Sequence, residues 1–192
     1  MINEIIPVFF TADNAFVAYL AEALGSAIKS SDHARRYRAI ILYDYLSDSS
    51  IEQLSALETD SFEITFEHID DRLGMMPGID SSCDAMSVYY RLLIPVMFPE
   101  YDKGIYVDSD ATVGCDLSAL FDQNMGASLI GAYTNPVMID VPEFTTYMED
   151  AADVSGFEYV DTGVLLLNLH GLRECGFERL FFTCLPHALL TL

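Results

Sequence analysis

Two aspartates separated by one residue close an apolar run in the middle of the chain, which reads Gly104-Ile-Tyr-Val-Asp108-Ser109-Asp110. Residues i and i+2 of a strand face the same side, so Asp108 and Asp110 are expected to converge on one ion. Hard carboxylate oxygens suit Mg²⁺ or Mn²⁺, and such a site favours a phosphate-bearing ligand. Acidic residues at strand ends also serve as solvated turn or helix-capping residues, and for the bare motif that interpretation stays open.

The charge of the chain excludes two classes of partner. Its 192 residues carry a formal net charge of −21 with only nine Lys and Arg. Nucleic acids and anionic membrane surfaces are bound by basic residues, so neither is expected to bind here. No Lys or Arg lies between Lys103 and Arg173. A metal is therefore expected to neutralise much of the charge of a phosphate group near Asp108.

The apolar pattern predicts an α/β fold with a largely parallel sheet. Apolar runs predict strands over 5–10, 37–43, 62–68, 104–108, 128–133 and 164–169, and helices over 16–24, 50–57 and 85–97. Strands that alternate with helices imply a parallel sheet covered by helices. Ligands of such sheets bind beyond the carboxyl ends of the strands, so Asp13, Asp108 and Asp110 are expected to border one crevice. The chain has no Gly-x-Gly-x-x-Gly or Walker lysine motif, which argues against dinucleotide-binding and ATP-hydrolysing folds.

Length and composition predict one domain over residues 1–192, since 52% of the chain is hydrophobic and no linker-like stretch interrupts it. The N-terminus lacks the basic region and long apolar core of a secretory signal. No run approaches the roughly 18 apolar residues of a membrane-spanning helix. A cytoplasmic protein without a membrane span is the expectation.

Four segments then stand in a recognisable order: Val8-Phe-Phe-Thr11-Ala12-Asp13-Asn14, Ser87-Val-Tyr-Tyr90-Arg91-Leu92, Tyr106-Val-Asp108-Ser109-Asp110 and Tyr159-Val-Asp161-Thr162-Gly163-Val-Leu-Leu-Leu-Asn168. Together they resemble glycosyltransferase family 8, the retaining transferases that include bacterial lipopolysaccharide galactosyltransferases and glycogenins. The resemblance implies the GT-A nucleotide-diphospho-sugar transferase fold. It also allows a homodimer.

The same resemblance implies a donor, a metal and a set of site residues. The donor would be UDP-glucose or UDP-galactose, and a hexose would pass to a saccharide or lipopolysaccharide-type acceptor with retained anomeric configuration. Mn²⁺ or Mg²⁺ would be held by Asp108 and Asp110, with Ser109 beside the ribose or pyrophosphate and Arg91 on the donor. The remaining matched residues would line the uridine and ribose pocket (Thr11, Ala12, Asp13) or face the sugars in a catalytic or binding role (Asn135, Asp161, Thr162).

The chain departs from the family pattern in two ways. Ala15 and Asp161 stand where the family usually has Asn. Two later family segments, of which the second supplies a third metal ligand and a phosphate-binding lysine, have no counterpart: no Lys follows Lys103, and the chain has no Trp. The expectation is a transferase domain that lacks the C-terminal segment of the family. Two alternatives stay open: an inactive UDP-binding remnant, and a haloacid-dehalogenase-type phosphatase with Asp108 as nucleophile and Asp110 as general acid.

Overall fold

The computed structural model describes residues 4–69, 87–134, 141–142, 146, 150, 160–177 and 179–180. Within them, six strands form one sheet: β1 (Ile5–Ala12), β2 (Arg36–Tyr43), β3 (Phe62–His68), β4 (Lys103–Val107), β5 (Ile130–Thr134) and β6 (Val160–Asn168). The helices whose bounds lie in the described residues are α1 (Val17–Ser30), α2 (Asp48–Ser55), α3 (Ser87–Tyr90), α4 (Ile94–Met97), α5 (Ser118–Phe121) and α6 (Leu169–Glu174). No helix in these ranges is long and apolar enough to cross a membrane.

The strand order across the sheet is β3-β2-β1-β4-β6-β5. β3, β2, β1 and β4 are parallel, whereas β6 runs antiparallel to both of its neighbours. The predicted α/β fold with a mostly parallel sheet is therefore confirmed. Because β1 and β4 are adjacent and parallel, with Phe9 opposite Tyr106, their carboxyl ends meet at the same edge of the sheet.

The central strand β1 is apolar along its length because both faces of the sheet are covered. Val8 and Phe10 belong to a core that includes Leu20 and Leu24 of α1, while Phe9 faces a second core on the opposite side. All five side chains are 0% exposed. This burial anchors the end of β1, where the predicted crevice begins.

The single helix predicted over residues 85–97 is wrong for its described part. Two short helices, α3 and α4, are separated by a turn that contains Arg91. Pro95 lies in the first turn of α4. Proline lacks the N–H needed in a helix interior but is tolerated in a first turn, so it begins a new helix here.

Other elements also differ from the predicted ones, and α1 continues to Ser30, past the predicted end at residue 24. β6 begins at Val160 and ends at Asn168, whose side chain accepts a hydrogen bond from the Gly171 amide and caps α6. Leu169 therefore belongs to a helix and not to the predicted strand. α5 was not predicted, since four residues show too little of the helical period to be recognised.

Candidate functional site

A cleft of about 170 Å³ opens beyond the carboxyl ends of β1 and β4. Its location agrees with the rule that open α/β sheets bind ligands at this edge. The structure brings together in its lining seven of the residues expected from the sequence, together with Phe16: Thr11, Ala12, Asp13, Phe16, Arg91, Asp108, Ser109 and Asp110.

Asp108 and Asp110 reach this cleft by a turn and not by one strand face. β4 ends at Val107, and the Ala111 amide donates a 3.1 Å hydrogen bond to the Asp108 carbonyl. This contact between residues i and i+3 is typical of a β-turn. The argument from strand alternation is therefore wrong for this pair. Asp108 is half-buried, whereas Asp110 is exposed to solvent at the rim.

The two oxygens of Asp108 have different surroundings. Oδ1 accepts a 2.6 Å hydrogen bond from the Tyr106 hydroxyl and a 2.9 Å bond from the Arg91 guanidinium. Among the described residues, no hydrogen bond to Oδ2 is found. Burial raises the pKa of the Tyr106 phenol; the charge of Arg91 opposes this effect and that of Asp108 adds to it, so the phenol stays protonated and able to donate. One oxygen of Asp108 is thus held by the protein, and the other is open to a ligand.

Arg91 ties three elements of the site together. Besides Asp108 it binds the Thr162 carbonyl at 2.8 Å, and its guanidinium carbon lies 4.4 Å from the centre of the Tyr106 ring. Only 13% of the side chain is exposed. A buried guanidinium needs such partners, and its planar shape suits simultaneous pairing and stacking.

The loop after β1 forms the opposite wall. Asp13 Oδ1 accepts hydrogen bonds from the amides of Ala15 and Phe16 at 2.7 and 3.2 Å, which fixes the turn into α1. Ser109 is buried, and its hydroxyl donates to the Thr11 carbonyl. Ser109 lines the cleft, but its hydroxyl joins the ends of β1 and β4.

Two of the residues expected to face the sugars, Asp161 and Thr162, lie near Asp108 at the start of β6 and are not among the residues that line the cleft. Asp161 and Thr162 are exposed, and Asp161 Oδ1 accepts a 2.8 Å hydrogen bond from the Gly163 amide. The Asp108 amide in turn donates to the Gly163 carbonyl at 2.7 Å. This backbone contact extends the β4–β6 pairing to Asp108. Asn135, the other residue expected to face the sugars, lies outside the described residues.

The charge of the cleft is unfavourable for a phosphate group without a cation, since its lining has three carboxylates and one guanidinium. Asp108 Oδ2 and the exposed Asp110 offer hard oxygens, which fit Mg²⁺ or Mn²⁺. In the described part of the chain, no group of three His, Cys, Asp or Glu side chains is arranged to bind a metal. A cation here would complete its coordination with water and ligand oxygens, as Mg²⁺ commonly does.

Sequence reasoning missed two residues of this site. Phe16 lines the cleft although 44% of it is exposed, and an aromatic side chain directly before a helix was the available signal. Tyr106 lies two residues before Asp108 on a strand, so the side-chain period of two placed it on the same face. Its hydroxyl contacts required the folded chain.

Comparison with known proteins gives a family. A sequence model described as glycosyl transferase family 8 matches residues 7–185. No curated protein sequence gives a significant match. Among solved structures, the bifunctional glycosyltransferase WbbM in its apo form has a TM-score of 0.77 and 22% identity, over 98% of this chain and 35% of its own. The galactosyltransferase LgtC, in complex with donor and acceptor sugar analogues, has a TM-score of 0.70 and 23% identity, over 88% and 60%.

A third structure, core-mannan synthase A from Aspergillus fumigatus in a Mn/GDP form, has a TM-score of 0.63 and 11% identity, over 95% of this chain and 64% of its own. The chain thus spans between about a third and just under two thirds of these relatives. The likenesses confirm the predicted GT-A fold. The family match favours the transferase interpretation over the phosphatase alternative.

Proposed function

Because this chain belongs to glycosyl transferase family 8, we propose that it transfers a hexose from UDP-glucose or UDP-galactose to a saccharide or lipopolysaccharide-type acceptor, with retained anomeric configuration and with Mn²⁺ or Mg²⁺ bound. The observation that carries the proposal is the cleft at the ends of β1 and β4, where Asp108, Asp110 and Arg91 converge. Carboxylates at this edge of a parallel sheet suit a nucleotide diphosphate that is bound through a cation.

Breaking the bond between sugar and diphosphate develops negative charge on the leaving phosphate. A cation held by Asp108 and Asp110 supplies Lewis-acid stabilisation of that charge when it is bound. Arg91 fixes Asp108 through its 2.9 Å ion pair and adds positive charge to the wall of the cleft. Phe16 offers an exposed aromatic face to the base.

Asp161 is proposed to face the hexose beside Asp108. Its Oδ1 accepts a hydrogen bond from the Gly163 amide, which orients the carboxylate near the start of β6. A carboxylate in this position binds sugar hydroxyls as an acceptor only, whereas an amide both donates and accepts. Asp161 is therefore proposed to influence which hexose is bound, and Asn135 to bind the same sugar.

Calorimetric titration of UDP into the protein, with and without Mn²⁺, tests the donor site. We expect binding that requires Mn²⁺ in the unsubstituted protein and is lost in Asp108→Asn/Asp110→Asn, because the amides retain the shape but not the charge. Asp60→Asn is the matched control, since Asp60 is an exposed carboxylate just before β3, at the opposite edge of the sheet. UDP binding that is independent of Mn²⁺, or unchanged in the double variant, would contradict the proposal.

Turnover separates a transferase from a UDP-binding remnant. Release of UDP from UDP-glucose or UDP-galactose is measured with Mn²⁺, with and without added saccharide acceptors. We expect acceptor-stimulated release that the double variant abolishes. Mn²⁺-dependent UDP binding without any release from either donor would favour the remnant.

A further inference from the structure

Tyr106 connects the loop after β1 to the first aspartate of the site. The side chain is 0% exposed. Its hydroxyl lies 3.1 Å from Thr11 Oγ1 and 2.6 Å from Asp108 Oδ1. Tyr106 of β4 does not line the cleft itself, but it contacts two residues that do.

The direction of these hydrogen bonds follows from the groups involved. An ionised carboxylate only accepts, so the single phenolic proton of Tyr106 goes to Asp108. The Tyr106 oxygen then accepts, and the Thr11 hydroxyl must donate. The order of donation is Thr11 to Tyr106 to Asp108. Hydrogen bonds in such a chain strengthen one another, and bonds to a charged acceptor are the stronger kind.

This chain of bonds restricts the rotation of the Asp108 carboxylate. Tyr106 and Arg91 both bind Oδ1. A Cβ placed on Gly163 would lie 3.2 Å from Oδ2, so the absence of a side chain there leaves room at this oxygen. Rotation of the carboxylate would break two charge-assisted hydrogen bonds at once. Oδ2 is thereby kept as the oxygen available to a cation.

We propose that Tyr106 is a positioning residue for cation binding, which acts through Asp108 by holding Oδ1 and presenting Oδ2. The inference rests on the proposed function, since it assigns a ligand role to Asp108. Groups that orient metal ligands in this way commonly contribute about tenfold or more to metal affinity. Tyr106 itself would touch neither the metal nor the sugar.

Tyr106→Phe removes the hydroxyl and keeps the ring on which Arg91 stacks. Tyr37→Phe is a matched control, because Tyr37 is 1% exposed and its hydroxyl donates a 2.5 Å hydrogen bond to another carboxylate, that of Asp116. Tyr37 lies near the start of β2, at the edge of the sheet opposite the cleft. Both variants lose one phenol-to-carboxylate hydrogen bond, and only one of them alters the candidate site.

The test is a titration of Mn²⁺ into protein in the presence of UDP, in which the electron paramagnetic resonance signal measures free Mn²⁺. We expect the Kd for Mn²⁺ to rise about tenfold in Tyr106→Phe and to stay unchanged in Tyr37→Phe. Urea unfolding of both variants gives their losses of stability. Equal Mn²⁺ affinities in the two variants would overturn the positioning role.

Thr11→Val provides a second test, which also applies if Tyr106→Phe folds poorly. When Tyr106 is present, loss of the donated hydrogen bond should raise the Kd for Mn²⁺ about twofold. When Thr11→Val is combined with Tyr106→Phe, it should cause no further change, because the oxygen that it acts through is gone. In the single variant, an unchanged Kd would contradict the chain of hydrogen bonds. So would an equal effect with and without the Tyr106 hydroxyl.

Failure of the proposed function gives a different result. If UDP and Mn²⁺ do not bind together to the unsubstituted protein, both the donor site and the role of Tyr106 are wrong. If they bind, and Tyr106→Phe binds Mn²⁺ as tightly as the unsubstituted protein does, only the positioning role is wrong.

Discussion

Gly163 lies against the carboxylate of Asp108: a Cβ built on this glycine would stand 3.2 Å from Asp108 Oδ2 and 3.1 Å from Asp161 Oδ1. Both distances are tighter than ordinary contacts of a methyl group, so a side chain there would displace one or both carboxylates. The glycine leaves space between the expected metal ligand and the expected sugar-facing residue.

Gly163→Ala should therefore weaken Mn²⁺-dependent UDP binding about tenfold, because the ligand oxygen shifts while the backbone pairing stays possible. Calorimetric titration measures the loss. Gly25→Ala is the control, since a Cβ at Gly25 of α1 meets nothing within 4 Å. Alanine in a helix is also favoured over glycine. Unchanged UDP affinity in Gly163→Ala would show that Oδ2 is not used.

Phe16→Ala should raise the Kd for UDP about tenfold and leave that for pyrophosphate unchanged, since stacking on a base is worth about 1–3 kcal/mol. Competition titrations with the two ligands in the presence of Mn²⁺ make the comparison. Tyr19→Ala is the matched control. Tyr19 is 59% exposed, and the centres of the Tyr19 and Phe16 rings are 5.8 Å apart, but Tyr19 does not line the cleft. An equal loss for both ligands would contradict base stacking.

Transfer by this protein should yield a product with the anomeric configuration of the donor. The family resemblance implies retention. Proton NMR of the glycosylated product reads the anomeric configuration directly. An inverted anomer would exclude the retaining mechanism. It would not contradict the proposed donor site, which UDP binding tests separately.

Arg173→Ala should lower the free energy of unfolding by about 2–3 kcal/mol without altering UDP affinity. Its guanidinium donates to the carbonyls of Pro95 in α4 and Tyr101 just before β4, at 3.1 and 3.0 Å, so its loss removes the donor from both main-chain acceptors. Urea denaturation measures the change. Arg36→Ala is the control, because Arg36 is exposed at the start of β2. Equal stability of the two variants would refute this role.

Asp116 should stabilise the fold in a pH-dependent way. Burial raises the pKa of its carboxyl, but hydrogen bonds from Ser118 and Tyr37 outweigh that effect and hold the pKa below its ordinary value of 3.8. The stabilisation is therefore complete above that ordinary value and is lost as the pH falls through the lower, folded-state pKa.

The urea midpoints of the unsubstituted protein and of Asp116→Asn measure this contribution as a function of pH. Their difference should be constant at neutral pH and shrink below about pH 4. Asp60→Asn, which alters an exposed carboxylate just before β3, is the control. A difference for Asp116→Asn that grows on acidification would show that the sign of the pKa shift is wrong.

Much of the sheet could be read from the sequence because its strands are short runs of buried apolar residues. In β1, the five residues from Ile6 to Phe10 are all uncharged, and the strand lies where the apolar pattern predicted it. Periodicity reports burial directly, so it also located β2 and β3. It failed at residues 87–97, where one apolar segment forms two short helices and Pro95 lies in the first turn of the second.

The residue types at the site were likewise determined by the sequence alone. Asp108 and Asp110 follow an apolar strand, and the rule for open α/β sheets placed them beside Asp13 before any contact was known. Only the tertiary structure decided how they are held. The turn at Asp108, the Arg91 bridge to Thr162 and the hydrogen bond from Tyr106 join segments that are distant in sequence or depend on side-chain rotation. Local patterns contain no information about such contacts, because these are set by the strand order β1-β4-β6, which brings the three segments together.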